Sequence, residues 1–226
     1  MKNTNYNKKY FEERDHLDLI TVEAIKIFMH DHNLKKVLDV GCGTGKLVRF
    51  LNGSGFFANG CDLYEDAIKI AKQKNKNKTF VKASATKLPF KNNSFDLLTA
   101  ISLVEHLTKK EVNMFLSEAY RIVKPKGYIF LVTPNFNSPM RFLLGLKWFG
   151  YSDPTHITFF TPNSLSKLLQ VYGFTDKKFW FKTNNKVDNT LLQHLPYGLN
   201  RLAIFLLFST PLCFIRDSFW IAAQKQ

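Results

Sequence analysis

Residues 37–47 read VLDVGCGTGKL, an apolar run of strand type that ends in glycines at positions 41, 43 and 45. Glycine has no Cβ atom, so such a loop lets a ligand approach the backbone closely and lets the chain adopt left-handed conformations. Residues KLVRFLNGS, with helical spacing, follow at once. A strand, a glycine loop and a helix in this order predict a nucleotide-like ligand at the carboxyl edge of a parallel sheet.

The rest of the chain repeats this alternation of strand and helix. Predicted strands lie at 35–41, 55–62, 79–83, 95–102 and 128–134, and stretches of helical spacing separate them. The helix from Lys110 is expected to stop at Pro-Lys-Gly before a tight turn. Beyond residue 134 come an aromatic excursion with a short amphipathic helix at 140–148, a capped helix in TPNSLSKLLQVYGF, and late strands in FTDKKFWFKT and SFWIAAQK. This order predicts an α/β fold with βαβ units and a parallel sheet.

Residues 37–47 have the general form of three kinds of glycine loop. A phosphate-binding loop needs Ser or Thr after Gly-Lys, but Leu47 follows Lys46, and Val40 stands where the first glycine belongs. A dinucleotide-binding turn needs a third glycine at position 46, and this chain has it one residue early, at Gly45. That spacing weakens the dinucleotide interpretation without excluding it. The third kind is the S-adenosylmethionine loop, whose Asp-x-Gly-x-Gly-x-Gly spacing is present from Asp39.

At this point the stretch resembles motif I of the class I S-adenosylmethionine-dependent methyltransferases. Four further stretches resemble later elements of that family in order: GCDLYEDAIKIAK, KLPFKNNSFDLLTAISLVEHL, RIVKPKGYIFLVTPN and HITFFTPNSLSKLLQVYGF. Within that family the stretches resemble the methyltransferases of types 11 and 23. The resemblance implies an enzyme that uses S-adenosyl-L-methionine, with a Rossmann-like, doubly wound sheet of seven strands. It also implies that the sheet is mostly parallel, with its last strand antiparallel, and that a small cap is inserted.

The resemblance also implies the residues that contact the cofactor. Asp62, about 20 residues beyond the glycine loop, would pair with the ribose hydroxyls. Ser84 stands where the family often has an acid that accepts from the adenine amino group, and a hydroxyl is a weaker, neutral acceptor. The implied cofactor residues are Asp39, Gly41, Cys42, Gly43, Gly45, Asp62, Leu63, Ser84, Ala85, Ile101 and Ser102.

Two histidines are the candidates for chemistry. Methyl transfer needs a general base only when the acceptor is a weak acid such as a hydroxyl. His156, in SDPTHITFF, is the first candidate for a base or an acceptor-orienting group, with a hydrogen bond within its loop or packing among phenylalanines as the alternative. His106 follows the fourth strand near the same edge, with a pocket-wall role as its alternative. In ubiquinone-pathway relatives a Glu-His pair with an earlier acid is associated with a metal, but Ser102 takes that acid's place here, so no metal site is predicted. Trp148, Tyr151 and Asp153 are predicted to line an acceptor pocket, with aromatic packing as the alternative.

The domain organisation is predicted as one methyltransferase domain. Its parts are a helical lead-in at 1–34, a cofactor-binding core at 35–134, a substrate cap at 135–160 and an apolar insertion at 195–216. The insertion contains an apolar run of about 14 residues, short of the roughly 20 that span a bilayer. A buried or dimer-forming helix and a peripheral membrane contact both stay open for it.

The 226-residue chain carries a net charge of +14, which leaves its partner open. The charge indicates either lysines spread over solvated surface or a surface that attracts nucleic acid or anionic lipid. The lysines are scattered and no arginine-rich stripe accompanies them, which favours the first interpretation. Three irregularly spaced cysteines and the lack of a signal-like N-terminus predict a cytoplasmic location, with the inner face of the membrane as a peripheral site.

The function predicted from all of this is O-methylation of a small molecule, a sugar or a lipid-linked acceptor in cell-surface glycan or lipid biosynthesis. The alternatives are methylation of tRNA or another nucleic acid, and non-catalytic binding of S-adenosylmethionine.

Overall fold

A computed structural model describes residues 10–11, 18–75, 79–179, 181, 199, 202, 206, 210 and 215–226. The helices are α1 (Leu19–Asp31), α2 (Lys46–Gly53), α3 (Glu65–Lys74), α4 (Lys109–Ile122), α5 (Pro139–Leu144), α6 (Phe149–Ser152) and α7 (Pro162–Val171). The strands are β1 (Lys36–Val40), β2 (Phe57–Asp62), β3 (Phe80–Lys82), β4 (Phe95–Ile101), β5 (Val123–Pro134), β6 (Phe174–Lys178) and β7 (Ser218–Lys225). Single 3-10 turns follow β4 (Val104–His106) and α5 (Gly145–Lys147).

The strands form one seven-stranded sheet in the order β3-β2-β1-β4-β5-β7-β6. The four neighbouring pairs in the run β3-β2-β1-β4-β5 are parallel, and β7 runs antiparallel to both β5 and β6. The predicted fold, a mostly parallel sheet of seven strands whose last strand is antiparallel, is therefore confirmed. Because the strand order reverses between β1 and β4, the segments after these two strands diverge and open a cleft at the carboxyl edge of the sheet.

Alternating side chains of the central strands build a core on each face of the sheet. On β1, Val37 packs into the cluster formed with α1 and α2, and the next residue, Leu38, packs into the cluster formed with α4 and α7. Successive residues of a strand point to opposite faces, and a strand buried on both faces is therefore apolar throughout. This packing fixes where the loop after β1 emerges.

The end of α4 differs from the sequence-based prediction. The helix ends at Ile122 and β5 begins at Val123, five residues before the predicted strand start at 128. Phe95 pairs with Val123 but Leu97 pairs with Tyr128, so the intervening residues 124–127 bulge out of the strand pairing. The Pro-Lys-Gly segment is thus a strand bulge and not a helix stop, because the neighbouring strand continues past it.

The predicted short helix at 140–148 is shorter in the structure. It ends at Leu144 and is followed by the 3-10 turn Gly145–Lys147, and neither contains a buried residue. The apolar insertion predicted at 195–216 falls almost entirely outside the described residues. No helix within the described part of the chain has the length and apolar character needed to cross a bilayer.

Candidate active site

The glycine loop after β1 turns through left-handed backbone conformations. Gly43 and Gly45 have φ of +50° and +76°, which other residues adopt only with strain. A Cβ atom at Gly45 would lie 2.6 Å from the ring of Phe80, whereas one at Gly43 would meet no atom within 4 Å. Gly45 is thus needed for the close packing of the loop against Phe80 of β3. Gly43 leaves open space above the loop, into which a ligand can fit.

Asp62, at the end of β2, is bonded to the glycine loop. Its Oδ2 accepts a hydrogen bond of 2.9 Å from the backbone N–H of Gly43, and its Oδ1 accepts one of 2.9 Å from the N–H of Tyr64. Burial raises the pKa of the Asp62 carboxyl, and these backbone donors oppose the rise. The carboxylate therefore ties the loop of β1 to the end of the neighbouring strand.

Asp39 is the second buried carboxylate of this edge. Its Oδ1 accepts a hydrogen bond of 2.8 Å from the Thr99 hydroxyl on β4. Burial raises the Asp39 pKa from 3.8 to about 7, the Thr99 bond lowers it, and the charge of Asp62 raises it further. A cation bound beside Asp39 would favour the ionised carboxylate.

Two adjoining cavities, of about 470 and 570 Å³, open at this edge of the sheet. The first is lined, among others, by Asp39, Gly41, Cys42, Gly43, Ile101, Ser102, His106, Asp153 and His156. The second is lined, among others, by Gly41, Gly43, Asp62, Leu63, Ser84, Ala85, Ser102 and His106. Every predicted cofactor residue except Gly45 thus lines a cavity. Their contacts with a cofactor stay a prediction.

Ser84, which stands where the family often has an acid, is held by its own turn. Its hydroxyl is 2.8 Å from the Thr86 hydroxyl and accepts a 3.2 Å hydrogen bond from the Thr86 backbone N–H. Both residues line the second cavity. A pair of hydroxyls therefore takes the place of one carboxylate at this wall.

His106 is connected to a carboxylate through one hydroxyl. The Thr155 hydroxyl lies 2.8 Å from Nδ1 of His106 and donates a 2.6 Å hydrogen bond to Oδ1 of Asp153. A hydroxyl has a single proton, and the carboxylate takes it, so Nδ1 of His106 must be the donor to Thr155. In the neutral ring the lone pair is then on Nε2.

His156 has the same tautomer for a different reason. Its Nδ1 lies 2.8 Å from the carbonyl oxygen of Gly150, which can only accept, so Nδ1 carries the proton. The His106 and His156 rings meet edge to face, with centroids 4.8 Å apart, and both line the first cavity. The structure therefore brings together two imidazoles that the sequence separates by 50 positions.

Glu105 lies behind this pair and is almost fully buried. Thr133 donates a 3.0 Å hydrogen bond to its Oε2, while Oε1 has no partner of ordinary geometry among the described residues. Burial raises the Glu105 pKa from 4.5 to about 7; its own backbone N–H, Thr133 and Ser102 oppose the rise. Glu105, His106 and His156 each offer one ligand atom, and these atoms lie within 4.8 Å of one another, so the three groups also have the composition of a metal site.

The three residues predicted for the acceptor pocket have different positions. Asp153 lines the first cavity, beside His156. Trp148 lines neither cavity. Its side chain is fully buried and its indole N–H donates to Asp217 at 2.9 Å, so its role here is packing. Tyr151 packs edge-on against Trp148 and also lines neither cavity.

Several cavity residues were missed from the sequence. Tyr10 and Phe11 line both cavities, and Thr155 connects His106 to Asp153. The aromatic pair in the polar stretch NKKYFEER was a usable signal, because aromatic side chains are more often buried than the charged and polar side chains around them. Thr155 had no signal, because its role depends on a histidine 49 positions away.

Comparisons with known proteins give the family. Residues 38–131 match the family model described as a methyltransferase domain. The chain is 31% identical over 142 residues to an uncharacterised methyltransferase of Synechocystis sp., covering 62% of this chain and 67% of that protein. The chain belongs to the class I S-adenosylmethionine-dependent methyltransferases. The crystal structure of a SAM-dependent methyltransferase from Archaeoglobus fulgidus has the same fold, with a TM-score of 0.67 and 24% identity over 98% of this chain and 100% of that one.

Other relatives of this methyltransferase chain act on different acceptors. It is 30% identical to the ubiquinone biosynthesis O-methyltransferase of Bartonella bacilliformis over 144 residues, which are 59% of this chain and 57% of that enzyme. It is 35% identical to the tRNA (carboxymethyluridine(34)-5-O)-methyltransferase of Arabidopsis thaliana over 96 residues, 42% of this chain and 23% of that enzyme. The chain spans about half the length of the first curated relatives it matches, 50% and 57%.

The cavity walls of the methyltransferase suit the family's cofactor, S-adenosylmethionine. Gly43 leaves open space over the loop, and the buried carboxylates of Asp39 and Asp62 lie at this edge. A cationic sulfonium and ammonium would favour the ionised form of both carboxylates. Asp39, Asp62 and the loop glycines are therefore the groups that would hold it.

Proposed function

We propose that this chain transfers a methyl group to the hydroxyl oxygen of a small-molecule, sugar or lipid-linked acceptor. The observation that carries the proposal is the pair His106 and His156, which line the first cavity beside the glycine loop with both Nδ1 atoms already bonded. S-adenosylmethionine, when bound, supplies an activated methyl group. What this chain must add is a base for the hydroxyl proton and a site without bulk water.

His106 is the better placed base. A hydroxyl is a weak acid, and an imidazole that titrates near neutral pH can accept its proton as the oxygen becomes a nucleophile. The proton would go to Nε2 of His106. The resulting cation would be stabilised through Thr155 by the Asp153 carboxylate, an arrangement in which the acid orients the ring and balances its charge.

His156 is the group that orients the acceptor in this proposal. Within the described part of the chain its Nδ1 is bonded to a neutral carbonyl, so it has less support for a positive charge than His106 has. This reverses the ranking expected from the sequence, where His156 comes first. The reason is the contact between Thr155 and His106, which sequence does not reveal.

The cap closes one side of the first cavity. The backbone N–H groups of Ile157 and Thr158 both donate to the Glu105 carbonyl, at 2.9 and 3.1 Å, and the Thr158 hydroxyl donates to the Leu107 carbonyl at 2.6 Å. These bonds hold the segment that carries Asp153, Thr155 and His156 against the segment that carries His106. Such closure keeps water away from the reacting groups.

Three variants test the proton path. His106→Ala should lower kcat by roughly 100-fold or more, the usual effect of losing a general base, with cofactor affinity near that of the wild type. Thr155→Val should lower kcat less, because the ring stays in place while the cation loses the support of Asp153. His156→Ala should mainly raise KM for the acceptor. Full activity of His106→Ala would remove the proposed base.

The acceptor class is tested by labelling. Cofactor carrying an isotopic methyl group is incubated with native cell extract and the purified chain, and the label is followed into lipid, glycan, small-molecule and RNA fractions. The similarity to a ubiquinone biosynthesis O-methyltransferase supports an acceptor with a hydroxyl and an apolar part. We expect the label in the lipid, glycan or small-molecule fraction, as a methyl ether that is stable to alkali.

Methylation of tRNA is the second candidate. The net charge of +14 and the shorter similarity to a tRNA methyltransferase favour it. Label in the RNA fraction, together with steeply salt-dependent tRNA binding, would replace the first proposal. Cofactor binding with no label in any fraction would instead indicate a non-catalytic binding protein.

Treatment with a chelator distinguishes a histidine base from a metal site built from the same side chains. The proposal makes the imidazoles themselves the proton acceptors, so activity should survive dialysis against EDTA. Loss of activity that Mn²⁺ or Zn²⁺ restores, with stoichiometric metal in the reloaded protein, would assign Glu105, His106 and His156 as ligands instead.

A further inference from the structure

Residues 139–147, which we name the apolar loop, are the most exposed apolar segment among the described residues. They comprise α5 and the following 3-10 turn, none of whose residues is buried. The side chains of Phe142, Leu143 and Leu146 are 70%, 76% and 89% exposed. Single exposed apolar residues are ordinary, but a contiguous group marks an interaction surface.

Both ends of the apolar loop are held by one carboxylate. Oδ1 of Asp217 accepts a hydrogen bond of 2.5 Å from the hydroxyl of Ser138, just before the loop, and one of 2.9 Å from the indole of Trp148, just after it. Ser138 and Trp148 are fully buried. The exposed side chains therefore project from an anchored base, and their exposure is a property of the fold.

The charged side chains within residues 135–152 are both basic, and the Asp217 carboxylate at the base of the loop is engaged by Ser138 and Trp148. Residues 135–152, NFNSPMRFLLGLKWFGYS, contain Arg141 and Lys147 and no acidic residue. The Arg141 guanidinium lies over the Phe136 and Phe142 rings, 4.1 and 4.2 Å from their centroids, and its Nε donates to the Phe136 carbonyl. A positive charge is thus held beside the exposed apolar side chains.

Apolar side chains flanked by basic groups match the interface of an anionic bilayer. The apolar part can enter the acyl region while the basic groups stay among the phosphates. A nucleic acid would pair with the charges but offers aliphatic side chains such as Leu143 and Leu146 nothing comparable. A second copy docked through the same loop would bring like charges together.

We propose that the apolar loop docks this chain onto an anionic lipid surface. The loop leads directly into α6, where the half-exposed Phe149 lines the first cavity together with Ser152. Docking would place the mouth of that cavity at the bilayer surface. The docking itself does not depend on the proposed function. The inference that the acceptor is a hydroxyl compound with a lipid-soluble part rests on it. The segment differs from residues 195–216, where the sequence left a membrane contact open beside a buried or dimer-forming helix.

Vesicle flotation tests the docking. The full chain is mixed with vesicles of phosphatidylcholine alone or with about a third phosphatidylglycerol, an anionic lipid. The double variant Leu143→Gln/Leu146→Gln removes apolar surface without changing charge. Val171→Gln is the matched control, because Val171 is 79% exposed on α7, outside the apolar loop. Wild type and control should float with anionic vesicles, and the double variant should bind at least tenfold more weakly.

Two further measurements keep the result decisive. Calorimetric cofactor binding by the double variant shows that it is folded, and sedimentation without lipid measures its oligomeric state. Failure of the wild type to float, or equal flotation of the double variant, overturns the proposal. The proposal is also overturned if the wild type is a dimer and the double variant is a monomer. It is overturned too if wild type and control bind tRNA and the double variant does not. Flotation requires no methyl transfer, so its outcome is independent of the proposed reaction.

Discussion

The backbone N–H of Gly43 donates a 2.9 Å hydrogen bond to Oδ2 of Asp62. These residues belong to the two sequence motifs that were assigned to the cofactor separately, and the bond makes them one structural unit. The Asp62 side chain therefore holds the loop, and its predicted contact with the cofactor has to be measured separately from that role.

Asp62→Ala should weaken cofactor binding by about 1.5–3 kcal/mol, the value of hydrogen bonds to a charged group. It should also lower the unfolding free energy, because the N–H groups of Gly43 and Tyr64 lose their acceptor. Asp62→Asn is the control, since its single amide oxygen can keep one of these bonds. Calorimetry measures the cofactor affinity and urea unfolding the stability; unchanged cofactor affinity in Asp62→Ala would refute the assignment.

Gly43→Ala and Gly45→Ala form a matched pair. Both place a Cβ atom at positive φ, which costs roughly 1–2 kcal/mol. At Gly45 the atom also meets the buried Phe80 ring at 2.6 Å, so a total loss of about 2–5 kcal/mol in unfolding free energy is expected. At Gly43 the space is open, so only the strain is expected, together with a clear loss of cofactor affinity. Equal destabilisation of the two variants, or normal cofactor binding by Gly43→Ala, would contradict this division.

Cofactor affinity should rise with pH through about 7. The pKa of Asp39 is raised to about 7 by burial, so the carboxyl is largely protonated at pH 6. A cationic cofactor favours the ionised form, so binding releases a proton and becomes stronger as pH rises. Titration calorimetry in buffers of different ionisation enthalpy measures that release. Asp39→Asn should abolish both the release and the pH dependence; persistence of both in that variant would assign them to another group.

Glu105 should make the fold less stable at alkaline pH. Its pKa is raised from 4.5 in the unfolded chain to about 7 in the fold, so the folded state holds the extra proton between these values. Its stabilising contribution is complete below pH 4.5 and is lost as the pH rises through 7. Glu105→Gln should remove this dependence and raise the unfolding free energy at pH 8 by about 3 kcal/mol, the equivalent of the shift. Urea midpoints from pH 5 to 8 test it; parallel curves for wild type and variant would contradict it.

The sequence was enough to predict the sheet and the edge of it at which the glycine loop lies. Apolar runs of strand length, their alternation with helical spacing and the glycine loop are local patterns, and a parallel sheet brings the carboxyl ends of its strands together. Asp39, Gly43 and Asp62 could therefore be named before their distances were known. The boundary at Val123 was missed because the bulge at 124–127 depends on pairing with β4.

The positions of the residues predicted for catalysis and for the acceptor pocket depend on tertiary structure. Trp148 looked like a pocket residue, but Asp217, 69 positions away, binds its indole and draws it into the interior. The connection of His106 to Asp153 through Thr155, on which the proposed base depends, forms only when the cap segment packs against the end of β4. Local composition determines which segments become strands and where a glycine loop turns. The tautomer of a histidine and the exposure of a loop depend on partners that only the folded chain brings within hydrogen-bond distance.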